Sequence, residues 1–286
     1  ATSARLKRAL GRYADADATF AQLFQDPQVA RLDADVLLRA RLAWIDSLRE
    51  QARYEEADAQ LRLIGANDDW RVLQTRAQLL AMTAKPAEAI QLLAKAADQA
   101  PIDSLARADV LHSLGIVQGD TGDHRAAIGT YREAARLIST LGLADSVTAA
   151  HLHASAANSL SVLTEYDEAA READAALQAY RRIYGERHYR YADALFLSGE
   201  IAFRRGKRDA ARKLLDDAVV RYRTALGPEH PRVSNALNAL GNLLQESGAL
   251  DEAIIAYRSA LAALMTTDPA HTQLATIRNG LGGALL

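Results

Sequence analysis

The chain has 286 residues, and 34 Lys and Arg against 36 Asp and Glu leave a net charge of −2, which sets up no field to draw in nucleic acid or an anionic membrane. Sixty alanines beside six prolines, within 49% hydrophobic residues, favour a helical core and disfavour a β-sandwich or barrel. The absence of cysteine excludes a disulfide scaffold, thiolate zinc and a cysteine nucleophile, and no apolar run nears the ~18–20 residues that span a bilayer.

One phrase recurs along the chain. It has apolar residues at helical spacing, a small residue at the eighth position, a turn residue near the fifteenth, and then Ala, a large apolar residue and Ala. Residues 1–30 keep only the second half of a copy, in Gly11, Ala16 and Phe20. Two shorter copies follow, 34–66 with Ile45, Leu48, Ala52, Ala57 and Leu61, and 69–101 with Ala77, Ala84, Ala89, Leu93, Ala96 and Pro101. In 105–142 the phrase reads Leu111, Leu114, Gly115, Gly122, Ala127, Tyr131 and Ala134. From here the step is 42 residues: Ala157, Thr164, Ala169, Ala173 and Ala176 in 147–184, then Leu195, Ser198, Gly199, Ala202, Gly206, Ala211, Leu215 and Ala218 in 189–226. The fullest copy, 231–267, reads Leu237, Leu240, Gly241, Leu244, Gly248, Ala253, Tyr257 and Ala260, and Leu281, Gly282 and Leu285 begin a last one over 272–286.

Each copy therefore predicts two amphipathic helices. The small eighth residue lets the pair touch, the Gly near position fifteen suits the left-handed conformation that ends the first helix, and Pro101, Pro228 and Pro269 fall where a helix must stop. A single pair cannot bury its apolar face, so the pairs must stack. The shift to a 42-residue period, near Pro101 to Ala106, is a place where the array bends rather than a domain boundary, and residues 1–286 read as a single array.

This pattern resembles the tetratricopeptide repeat family over essentially the whole chain. The longer copies resemble the kinesin-light-chain type, whose Gly-Pro-x-His-Pro loop stands complete as Gly227-Pro228-Glu229-His230-Pro231, with echoes in Gly185-Glu186-Arg187-His188 and Asp268-Pro269-Ala270-His271. The motif's first position, often Trp, is Leu or Arg here. The resemblance implies an all-α, right-handed superhelical solenoid of about seven helix-turn-helix repeats plus a terminal helix, with the first helices on the concave side. It also implies that the second, fifth, ninth and twelfth positions of those helices face a ligand.

Those positions are Asn235, Asn238, Asn242 and Gln245 in the fullest copy, and Asp193, Phe196, Glu200 and Phe203 in the copy before it. His151, Asn158 and Ser161, then Asp109 and His112, continue the row, and the N-terminal half supplies Arg71, Gln74 and Gln78, with Arg39, Asp46 and Arg49 before them. Asn279 extends it into the last helix. Three asparagines on one helix face need a reason, since Asn is a mediocre helix former. In related arrays such amides hydrogen-bond the backbone of an extended peptide, and the expectation is a peptide or protein segment lying across residues 109–245. A solvated polar face is the plain alternative. Phe196 and Phe203 read either as an apolar pocket on that face or as packing between repeats.

Arg39, Arg49 and Arg71 have the chemistry to grip a carboxylate, but the set of a two-carboxylate clamp is not assembled, and surface salt bridges are their expected fate. His151 and His153 project about 200° apart on a helix and cannot share an ion. His188, His230 and His271 recur in the loops between copies and read as loop structure. Arg204, Arg205, Lys207 and Arg208 form the densest basic cluster, matched by nearby acids, which argues against nucleic acid. No phosphate loop, His-Glu-x-x-His pair or Gly-x-Ser-x-Gly elbow is present, so the expectation is binding without catalysis, cofactor or metal.

The Ala/Arg/Asp-rich usage is that of a GC-rich bacterial genome, and both cytoplasm and periplasm stay open. The chain opens at Ala1 without Met and closes on the apolar Leu281–Leu286, which reads as a piece of something longer. The second functional reading is accordingly a ligand-sensing domain of a larger bacterial signalling protein, such as a membrane-anchored serine/threonine kinase or a transcriptional activator. An apolar stripe of Leu274, Ile277, Leu281 and Leu285, if uncovered, makes homodimerisation through the end helix a further expectation.

Overall fold

A computed structural model describes residues 13–267 and 273–286, together with residues 3, 4 and 7, and among these there are fourteen α-helices, one 3-10 helix and no strand. Gly11 and the loop at Asp268-Pro269-Ala270-His271 lie outside the described residues. The chain divides into two compact units, residues 1–123 and 124–286. The division falls between the two helices that the sequence pattern places in the 105–142 copy.

The first unit holds α1 (Tyr13–Gln25), a 3-10 turn (Pro27–Arg31), α2 (Ala34–Glu50), α3 (Tyr54–Arg62), α4 (Trp70–Met82), α5 (Pro86–Gln99) and α6 (Leu105–Asp120). Each α-helix packs against the next along the chain and the 3-10 turn packs on α1, while α2 also touches α4 and α4 touches α6. The second unit holds α7 (His124–Thr140), α8 (Val147–Val162), α9 (Tyr166–Tyr184), α10 (Tyr189–Arg204), α11 (Arg208–Leu226), α12 (Pro231–Glu246), α13 (Leu250–Thr267) and α14 (Gln273–Leu285). Here α8, α10, α12 and α14 contact one another in sequence and form one layer, with α9, α11 and α13 wedged between them and α7 packed on α8.

Two local devices generate this alternation. The first helix of each copy starts at a side-chain cap: Asp33, Asp69, Ser104 and Ser146 accept from the backbone N–H groups of Asp35, Arg71, Arg107 and Ala149, satisfying amides that the helix cannot. His188 and His230 do the same with Nδ1, accepting from Arg190 at 3.2 Å and Arg232 at 3.1 Å, so these histidines are indeed loop structure. The first helix of each copy then ends in a left-handed residue. Gly122, Gly206 and Gly248 take φ of 88°, 73° and 77°, and the next residue's N–H closes back on the helix, as Lys207 does on the Ala202 carbonyl at 2.9 Å. In the copies without glycine, Ala52, Ala84 and Thr164 adopt the same conformation at φ 57°, 62° and 63° and form the same closing bond.

Within a pair, the size of the eighth residue matches the knob facing it. A Cβ on Gly241 would stand 2.7 Å from Cε1 of Tyr257, and one on Gly199 would stand 2.9 Å from Cγ of Leu215. Where the first helix carries Ala157, the corresponding residue of the second is Ala173, and both are fully buried. A larger eighth residue is thus met by a smaller knob, as close packing demands. Tyr257 is wedged from both sides, since a Cβ on Gly280 of α14 would also meet its ring at 2.7 Å.

The end helix corrects one expectation. Leu274 and Ile277 are 4% and 0% exposed, in one apolar cluster with Tyr257, and Leu281 is partly buried against that cluster. The first half of α14 docks on α13 as the leading helix of a further copy, so Leu274 and Ile277 are covered and Leu281 partly so, while Leu285 of the stripe and Leu286 remain exposed.

Candidate partner-binding face

Helical spacing puts the second, fifth, ninth and twelfth positions on one strip, and burial shows that strip to be the open side of each first helix. In α12, Val233, Ser234, Ala236, Leu237, Leu240, Gly241, Leu243 and Leu244 are all buried, while Asn235, Asn238 and Gln245 are half-buried and Asn242 is exposed. In α10, Asp193, Phe196 and Phe203 are half-buried and Glu200 is exposed, between buried Ala194, Leu195, Ile201 and Ala202. In α8, His151 and Ser161 are half-buried and Asn158 is exposed. These three helices stand side by side, so the strips adjoin. In the first unit, His112, Asp109, Arg71, Gln74 and Gln78 are half-buried along the corresponding strips of α6 and α4.

Hydrogen bonding divides the strip. The amide oxygens of Asn242 and Gln245 stand 2.7 and 2.8 Å from the hydroxyl of Tyr257 and share its one proton. The amide oxygens of Asn235 and Asn238 are buried with no donor. Such an orphaned acceptor costs about 1–3 kcal/mol. Asp193 is already engaged: it accepts from Tyr222 at 2.8 Å and from Arg232, and Arg190 lies 3.6 Å away. That carboxylate ties α10 to α11 and α12.

Glu200 behaves differently. Its side chain reaches solvent, yet the surrounding protein raises its carboxyl pKa through desolvation, with Arg204 opposing. Among the described residues it makes no ion pair. His151 faces Tyr180, with ring centroids 5.8 Å apart, and its pKa falls to about 4, chiefly through burial and then through Arg190. His153, on another side of α8, pairs with Glu172 at 2.6 Å, so the two histidines do not converge. Phe196 and Phe203 pack with one flank against the core of the second unit and keep part of their surface open.

In the first unit the row is knitted together. Gln74 and Gln78 both donate to the hydroxyl of Ser113, at 3.1 Å each, and Arg49 donates to Gln78 at 2.6 Å. Arg71 binds Asp69 and Asp35 at 2.6 Å each, which raises its pKa. Arg39 pairs with Asp35 at 2.5 Å and Arg49 with Asp46 at 3.4 Å, so these arginines are in salt bridges. Of the basic cluster, Arg205 is met in the same way, by Asp167 at 2.6 Å. Sequence reading had no signal for Ser113 or Tyr222 as partners of the strip. Tyr257 reads in the sequence as a packing knob, and in the structure its hydroxyl also reaches the asparagine row.

Two family models described as tetratricopeptide repeat match the chain, over residues 154–228 and 197–266. With the helix pairs, left-handed turns and small-to-large packing above, residues 154–266 match tetratricopeptide repeats and the chain has an all-α solenoid fold of that type. Its structural neighbours include a putative kinesin light chain with nearly identical repeats from Podosopora anserina, at 15% identity and TM-score 0.61 over 70% of this chain and 96% of that one. A tetratricopeptide repeat protein from Parabacteroides merdae is similar over 100% of this chain and 97% of its own, at 14% identity and TM-score 0.62. A Rap protein complexed with Competence and Sporulation Factor is similar at TM-score 0.73 and 15% identity, over 95% of this chain and 80% of that one. Among curated protein sequences, none matches. Repeats of this family make protein-interaction scaffolds, and the chain is a module of that kind.

Proposed function

We propose that the second unit is a non-catalytic binding module that holds an extended segment of a partner protein along the groove-facing strips of α8, α10 and α12. The observation that carries this reading is the pair of buried, donor-less amide oxygens on Asn235 and Asn238. A partner backbone N–H reaching these amides, or meeting them as they turn outward, relieves the cost of leaving them unmade. Asn242 keeps its oxygen on Tyr257 and offers its NH₂ group, and exposed Asn158 extends the row onto α8. Main-chain recognition of this kind tolerates varied sequence, and side-chain pockets then select among segments. The Rap complex supports the reading in a limited way, because it shows a similar array with a bound factor.

The test is titration of peptides selected from a random 12-residue display library against Asn235→Ala, Asn238→Ala and the double variant. Each substitution removes one hydrogen-bonding group and is expected to weaken binding about two- to tenfold, with circular dichroism showing the fold intact. Unchanged affinity in a folded double variant refutes the assignment of the groove.

A further inference from the structure

We infer that the binding strip carries a cation subsite, in which Glu200, flanked by Phe196 and Phe203, takes a lysine or arginine side chain of the bound segment. This rests on the groove reading above and adds the chemistry that selects the ligand. Phe196, Glu200 and Phe203 stand four and three residues apart on α10, so they share one face with the carboxylate between the two rings. Both phenylalanines are half-buried, which fixes their positions while leaving part of each ring open to a ligand.

Charge narrows the choice of ligand. The strip residues of the neighbouring helices, Asn158 and Ser161 on α8 and Asn235, Asn238, Asn242 and Gln245 on α12, carry no charge, and burial keeps His151 on α8 neutral near pH 7. The other acid on the α10 strip, Asp193, is answered by Arg190 and Arg232. Glu200 therefore holds the one carboxylate of these strips that makes no ion pair among the described residues, with Arg204 one turn further along the same helix. Although Glu200 reaches solvent, the protein around it raises its carboxyl pKa through desolvation, and a ligand that covers it together with the two rings meets the carboxylate in a less polar setting than open water. The aromatic neighbours add to this, since the face of a phenylalanine ring attracts lysine ammonium and arginine guanidinium groups. An acidic segment would meet repulsion at the same point.

The experiment is selection from the random 12-residue display library on the full chain and on Glu200→Gln and Glu200→Lys, followed by affinity measurement of the enriched peptides. The expected result is a Lys or Arg at one fixed position of the peptides enriched on the unaltered chain. Glu200→Gln then weakens those peptides about tenfold, and Glu200→Lys enriches Asp or Glu at that position instead. Replacing the peptide's own Lys or Arg by norleucine should weaken binding to the unaltered chain but hardly affect binding to Glu200→Gln. Enriched peptides that depend on Asn235 and Asn238 but show no charge preference, or keep it unchanged on Glu200→Lys, overturn the cation subsite and leave the groove standing. Enriched peptides indifferent to the asparagines, or no enrichment at all, overturn both.

Discussion

Alanine in place of glycine in a helix interior ordinarily stabilises by about 1 kcal/mol, because glycine loses more backbone freedom on folding. Three helical glycines of the second unit allow packing to be weighed against that propensity. At Gly129 in α7 and Gly282 in α14 a Cβ would meet nothing within 4 Å, so Gly129→Ala and Gly282→Ala should each stabilise by about 0.5–1 kcal/mol. At Gly241 the same Cβ would stand 2.7 Å and 2.8 Å from two ring carbons of Tyr257, most of an ångström inside ordinary contact. The ring has no room to retreat, because Gly280 confines it on the α14 side. Overpacking of this depth costs about 2–3 kcal/mol, which exceeds the propensity gain and leaves Gly241→Ala about 1–2 kcal/mol less stable. At roughly 2–4 °C per kcal/mol for a unit of this size, the melting temperature should fall by about 2–8 °C. Urea denaturation followed by circular dichroism, with hydrogen exchange read on α12 and α13, gives the sign directly. If Gly241→Ala stabilised the chain as Gly129→Ala does, the eighth-position glycine would have nothing to do with close approach, and the packing account of the repeat would be wrong.

Further predictions follow from the turns, the histidine caps and the Asp193 network. Thr164→Gly and Ala84→Gly should each raise stability by about 0.5–1 kcal/mol, since both side chains are exposed and both residues sit in the left-handed region; Gly206→Thr should lower it, and denaturant midpoints of the three variants check the ordering. Burial, and then the charge of Arg190 or Arg232, hold His188 and His230 below the usual histidine pKa, as they hold His151 at about 4. Between the folded values and about 6.5 the unfolded chain binds more protons, so these groups cost no stability above pH 6.5 and progressively more below it, levelling off under the folded values. Ring signals in NMR should titrate late for all three, and His230→Asn, which keeps a cap acceptor without the titration, should flatten the pH dependence at α12. Asp193→Ala leaves Arg232 and the Tyr222 hydroxyl without their acceptor and should cost about 1 kcal/mol, discounted for the partial exposure of the arginine; a double-mutant cycle with Arg232→Ala should return a clear coupling energy.

Much of the fold is legible in the linear chain because its causes are local. Helical periodicity, a small eighth residue and a turn residue near the fifteenth all act within a single pair, and the pattern located the left-handed turns even where Ala52, Ala84 and Thr164 replace glycine. The histidine loops were readable for the same reason, since a cap involves a residue and the amide two places on. Which polar residues stay available was not readable. Asp193 meets Arg232 39 residues away, Gln74 meets Ser113 across the same separation, and Tyr257 reaches Asn242 only because two glycines hold its ring in place. The covering of Leu274 and Ile277 likewise depends on how α14 sits on α13. Periodicity sets which face a residue occupies; whether its hydrogen bonds are already made depends on side chains that only stacking brings together, and that second fact is what leaves the Asn235 and Asn238 amide oxygens without a donor and Glu200 without an ion pair among the described residues.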